Sequence, residues 1–89
     1  MTKRVTLITG ASSGIGAELA RIFASNGTDT VLVARREDRL QQLASEIAAA
    51  GYSRPEILAC DLCAPDVCEK IVASLKAMDA EVETVVNNA

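Results

Sequence analysis

The chain has 89 residues, 49 % of them apolar, and its nine lysines and arginines against twelve aspartates and glutamates leave a formal net charge of −3. That apolar content is too high for disorder, and the length allows one domain or part of one, burying only ~60–65 % of the unfolded surface. Two aromatic residues, Phe23 and Tyr52, and no basic cluster beyond Arg35, Arg36 and Arg39 argue against nucleic acid as a partner, and no apolar run approaches the ~20 residues of a membrane span.

Lys3 and Arg4 lead into an apolar run, Val5 to Thr9. A signal peptide would need a longer apolar core and a small-residue cleavage site, so the expectation is a buried strand and a cytoplasmic protein. Ile15, Leu19, Ile22 and Phe23 then recur at helical spacing, and the segment stops at Asn26-Gly27. Asn26-Gly27-Thr28 matches a glycosylation sequon, but without an export signal it reads as the helix stop. Thr30 to Ala34, "TVLVA", is the second strand. The first two strand runs lack alternation, as strands covered on both faces do.

A second helix carries Leu40, Leu43, Ala44 and Ile47 and ends at Gly51; Ile57 to Cys60 is the third strand. A third helix opens at Pro65 and carries Val67, Ile71, Leu75 and Met78; Val82 to Asn87 is the fourth strand. Cys60, Cys63 and Cys68, an odd number without an export signal, read as reduced thiols. Their C-x2-C-x4-C spacing is compact enough for a metal, but there is no histidine or fourth cysteine, so Asp61 or Asp66 would have to complete it.

The order βαβαβαβ implies an α/β fold with a doubly wound parallel sheet and right-handed crossovers. Such a sheet binds ligands at the carboxyl ends of its strands. Here those ends are Thr9-Gly10, Ala34-Arg35, Cys60-Asp61 and Asn87-Asn88, each placing polar, glycine or charged residues after an apolar run.

Between the first strand and first helix, Gly10, Gly14 and Gly16 are spaced G-x3-G-x-G. This is not the Rossmann G-x-G-x-x-G, but the physical demands are shared. Gly10 would give the turn, Gly14 the close approach of the backbone to an anion, and Gly16 the packing of helix on strand. Free N–H groups and the positive helix end would face a phosphate, with hydroxyls from Ser12 and Ser13. The plain alternative is a tight turn, but one glycine would serve for that.

"TGASSGIG" closely resembles the TGxxxGxG cofactor motif of the short-chain dehydrogenase/reductase family. "ARR" after the second strand, "CDL" after the third and "NNA" after the fourth resemble further motifs of that family, in order along all 89 residues. The resemblance implies a Rossmann-type sheet with strand order 3-2-1-4, cut off after the fourth of seven strands. It implies that Gly10, Ser12, Ser13, Gly14, Ile15 and Gly16 line the pyrophosphate and adenosine ribose. Asp61 would accept from the adenine amino group, with the Leu62 N–H beside it. Asn87, Asn88 and Ala89 would hold the sheet near the cofactor. In the plainer reading Asp61 caps the next helix and the asparagines cap a strand end. Cys63 stands where many members carry a capping Thr or Ser.

NAD enzymes place an acid about 20 residues past the glycines, on the ribose hydroxyls. Here Ala34 takes that place, followed by Arg35 and Arg36. A carboxylate would repel a 2′-phosphate, whereas an arginine pairs with it bidentately. In NADP-dependent members the residue matching Arg35 has this role, so NADP(H) is expected over NAD(H). Glu37 and Asp38 are expected to answer the helix dipole, and Arg36 and Arg39 to be a solvated helix start.

The family's chemistry uses a Tyr-x-x-x-Lys pair, a serine and a further asparagine. The only tyrosine, Tyr52, has Glu56 four residues on and reads as packing at a helix end. So residues 1–89 are expected to be the N-terminal dinucleotide-binding part of one domain, with the catalytic part elsewhere in a parent enzyme acting on a carbonyl or alcohol. A homo-oligomeric parent fits the resemblance. The alternative is a non-catalytic dinucleotide-binding module or an inert remnant.

Overall fold

The structure is a computed structural model that describes residues 3–12 and 14–87. Seven elements follow in order: β1 (Lys3–Thr9), α1 (Gly14–Ser25), β2 (Thr30–Ala34), α2 (Glu37–Ala49), β3 (Glu56–Ala59), α3 (Val67–Ala77) and β4 (Ala80–Val86). The four strands form one parallel sheet in the order β3-β2-β1-β4, as the family resemblance implied.

Burial on both faces explains the unbroken apolar runs. One face carries Ile8, Leu32 and Ala34 against Ala17, Ala20 and Ala24 of α1 and Leu40, Leu43 and Ile47 of α2. The other carries Val5, Leu7, Val31 and Val33 against Ile71 and Leu75 of α3 and Met78 just past its end. Every residue of β2 is buried. Side chains such as Ile8, Leu32 and Leu40, wholly removed from water, contribute about 1.5–3 kcal/mol each.

The face that α1 turns to the sheet differs from the expected one. Its buried residues are Gly16, Ala17, Ala20 and Ala24, whereas Ile15 is 70 % and Ile22 47 % exposed. Small side chains let the helix axis lie close to the sheet, so the alanine stripe turns inward and the isoleucines face outward.

The helix ends follow the sequence more closely. At the end of α1 the N–H of Thr28 bonds the carbonyl of Phe23, and that of Gly27 the carbonyl of Ala24, at 3.1 and 3.0 Å. At the end of α2, Tyr52 and Gly51 repeat the pattern on Ile47 and Ala48 at 3.3 and 3.1 Å. These paired bonds satisfy carbonyls that the helix leaves open. Asn26 adds a side-chain bond, Nδ2 to the Ile22 carbonyl, at 3.0 Å. Tyr52 follows the end of α2 and is 44 % exposed, lining a small pocket with Ile47 and Ala50 rather than packing closely at the helix end as expected.

Several boundaries move. The helix expected from Pro65 opens at Val67 behind Asp66, leaving Pro65 in the preceding turn. Cys60 lies just past β3, and β4 starts at Ala80 and stops before Asn87. β4 is an edge strand whose register on β1 slips between Val5 and Thr6, paired with Val82 and Thr84, so Glu83 is the extra residue of a bulge.

Candidate functional site

Parallel pairing brings the carboxyl ends of the strands to one edge of the sheet. Thr9 pairs with Val33, Ile8 with Val86 and Ala34 with Ala59. The Ala11 N–H donates to the Val33 carbonyl at 3.3 Å and the Cys60 N–H to the Ala34 carbonyl at 2.9 Å, so adjacent loops stay in register beyond the strands.

The glycine turn sits at the centre of that edge. Gly10 and Gly14 have φ of 64° and 59°, a left-handed backbone that favours glycine. A Cβ added at Gly14 would meet nothing within 4 Å, so the space beside this turn is open. Ala11 is fully buried beneath it, Ser12 is half-buried, and Gly14 and Ile15 are exposed. Gly16 is buried, as close packing on the strand requires, and Ser13 lies outside the described residues. Of the three helices, α1 has no acid in its first turn; α2 has Glu37 and Asp38 there, and α3 has Glu69. The positive end of α1 thus keeps its charge for whatever lies above the turn.

Past β2 the chain turns outward through Arg35, Arg36, Glu37, Asp38 and Arg39, all exposed. Arg36 holds Asp38 bidentately, Nε to Oδ1 at 3.2 Å and Nη2 to Oδ2 at 3.1 Å. The hydrogen bond from Arg36 pulls the Asp38 carboxyl below its ordinary range, and Asp38 raises the Arg36 guanidinium in turn. Asp38 therefore answers Arg36 as well as the dipole of α2. Arg35 and Arg39 make no ion pair among the described residues. An open groove of ≈ 390 Å³ runs between α1 and α2, lined by Ser12, Gly14, Arg21, Arg39, Leu43 and Glu46 among others.

Past β3, the Asp61 carboxylate accepts the Cys63 N–H at 2.9 Å, and the Asp61 carbonyl accepts the Ala64 N–H at 3.0 Å. This is a local turn, not the helix cap of the plainer reading; the N-cap residue of the next helix is Asp66. The turn is built on the Cys63 backbone N–H and does not involve its thiol. Asp61 is exposed, and its second oxygen has room to accept from a ligand. Leu62 is partly buried in the α3-side core. Cys60 is partly buried, which pushes its thiol up, while Cys63 and Cys68 are exposed. Among the described residues no group of three His, Cys, Asp or Glu could hold a metal.

Beside β4, the Thr9 hydroxyl lies 3.1 Å from Asn87 Oδ1 and 3.4 Å from the Val86 carbonyl, tying the end of β4 to the end of β1. Sequence reasoning named Asn87 but passed over Thr9, whose position directly before Gly10 was the available signal. Asn88 and Ala89 lie outside the described residues.

The edge therefore combines a left-handed glycine turn, an uncompensated helix N-terminus, arginines without carboxylate partners and an exposed carboxylate. That set suits a ligand with anionic phosphates, and the exposed carboxylate can accept from a hydrogen-bond donor.

The short chain dehydrogenase family model matches residues 4–89. Dehydrogenase/reductase SDR family member 11 of Gallus gallus is 38 % identical over 89 residues, spanning 99 % of this chain and 35 % of that protein. An 11-beta-hydroxysteroid dehydrogenase-like protein of Arabidopsis thaliana is 36 % identical over 89 residues, all of this chain but 23 % of that one. A metagenomic short-chain oxidoreductase solved in complex with NADP superposes with a TM-score of 0.88 at 38 % identity, covering 100 % of this chain and 40 % of its own.

Proposed function

Because the chain belongs to the short chain dehydrogenase family, we propose that it is the dinucleotide-binding portion of an NADP(H)-dependent oxidoreductase. It spans about a third or less of the curated relatives described above. The parent would act on a carbonyl or alcohol in the cytoplasm, and the groups that handle substrate would lie on the rest of it. The observation that carries this reading is the start of α1: a left-handed glycine turn with open space beside Gly14 and no acid in the first helical turn. The relative solved with NADP supports it.

Gly10, Ser12, Ser13, Gly14, Ile15 and Gly16 would line the pyrophosphate and adenosine ribose. Arg35, without an ion-pair partner among the described residues, would take the 2′-phosphate. Asp61 and the Leu62 N–H would meet the adenine edge. Asn87, Asn88 and Ala89 would hold the central sheet near the cofactor, a part that the contact of Asn87 with Thr9 supports. When bound, the nicotinamide group would supply hydride transfer; this chain's part is to bind and orient it.

The test is a titration with NADPH and NADH. A charge-assisted bond of about 1.5–3 kcal/mol corresponds to about ten- to a hundredfold in affinity. Arg35→Ala should weaken NADPH by that factor and NADH hardly at all. Equal loss for both cofactors would reject Arg35 as the 2′-phosphate partner.

A further inference from the structure

Resting on the reading of Arg35 as the phosphate's partner, we propose that Arg39 is a second cation for the 2′-phosphate, and that Arg36 is not. All three arginines stand within five positions after β2, and the sequence alone assigns the phosphate to Arg35 and leaves Arg36 and Arg39 as a solvated helix start. Their surroundings separate them. Arg36 is held by Asp38 through two bonds of 3.2 and 3.1 Å, so a phosphate would have to displace that carboxylate. Arg39, three residues on, lines the ≈ 390 Å³ groove that Ser12 and Gly14 of the glycine turn also line.

The other cation on that groove is taken: Arg21 is paired with Glu46 at 3.1 Å and also reaches Glu18 at 3.4 Å. Arg39 has no ion pair among the described residues, so no carboxylate has to be displaced for it to meet an anion in the groove. Helix stability does not account for it. A cation in the first turn of α2 opposes the helix dipole, whereas the neighbouring Glu37 and Asp38 suit it. The groove offers the Ser12 hydroxyl on one wall and the Arg39 guanidinium on the other, chemistry that fits a phosphate monoester.

The experiment is calorimetric titration of NADPH and NADH into the protein at its natural length, at low salt. Wild type is compared with Arg35→Gln, Arg36→Gln, Arg39→Gln and Arg39→Lys. Arg39→Gln should weaken NADPH about tenfold and leave NADH within about twofold, the unchanged NADH affinity also showing that the variant is folded. Arg39→Lys should recover part of the loss, and Arg36→Gln should leave both cofactors within about twofold of wild type. If Arg35→Gln removes the NADPH preference while Arg39→Gln keeps it, Arg39 is excluded and the Arg35 reading stands. Equal weakening of both cofactors by Arg39→Gln, or a loss in Arg36→Gln as large as in Arg39→Gln, also overturns the assignment. A wild-type protein without NADPH preference overturns both readings.

Discussion

Gly14→Ala separates a phosphate cradle from a tight turn. The backbone there has φ of +59°, and an added Cβ meets nothing within 4 Å. The cost to the protein is then confined to holding an L-residue in the left-handed region, about 1 kcal/mol. In a parent about three times this length, as the matched relatives are, such a loss lowers Tm by about 2–4 °C, which thermal unfolding followed by circular dichroism will read. The cofactor should suffer more. The second glycine of such a turn is where backbone approaches pyrophosphate, and a methyl group there holds the phosphate off the N–H groups. Dinucleotide affinity should therefore fall by at least about tenfold at a temperature where the variant is fully folded. Wild-type affinity in Gly14→Ala would leave only the turn. A Tm drop well beyond about 4 °C would mean that Gly14 is packed rather than open, and would refute the steric reasoning itself.

Thr30 is 3 % exposed and its Oγ1 has no hydrogen-bond partner among the described residues. Thr30→Val keeps the shape and removes the stranded hydroxyl, so urea unfolding should show a gain of about 1 kcal/mol; a loss would mean that the hydroxyl is satisfied by bound water. The Arg36–Asp38 pair gives a pH signature. The folded Asp38 carboxyl titrates below its ordinary value because Arg36 bonds it, so any stability from the pair is present above the unfolded pKa and lost as pH falls through the folded one. Carboxyl NMR should place the Asp38 transition low in wild type and return it upward in Arg36→Gln. An unmoved transition would show that the pair does not persist in solution.

What could be read without a structure was local. Unalternating runs such as Thr30–Ala34 announced strands covered on both faces, because residues flanked by helices above and below have no reason to alternate. The stops at Asn26-Gly27 and Gly51 were readable because a helix end is settled by its own carbonyls and the next two N–H groups. The order of strands and helices then required the carboxyl ends to share one edge, which located the candidate site. The strand order itself came with the family resemblance.

Contacts between elements decided the rest. Apolar period alone put Ile15 and Ile22 inward, yet α1 approaches the sheet through Ala17, Ala20 and Ala24, since close approach favours small side chains. Pro65 fits a helix start by its fixed φ, but successive turns, the Ala64 N–H on the Asp61 carbonyl and the Val67 N–H on the Ala64 carbonyl, precede α3, which opens at Val67. Arg35, Arg36 and Arg39 carry the same charge in the sequence. Arg36 finds Asp38 two residues away, a local pairing, but only the fold turns Arg39 into the groove beside the glycine turn, because that groove exists where α1 lies across from α2.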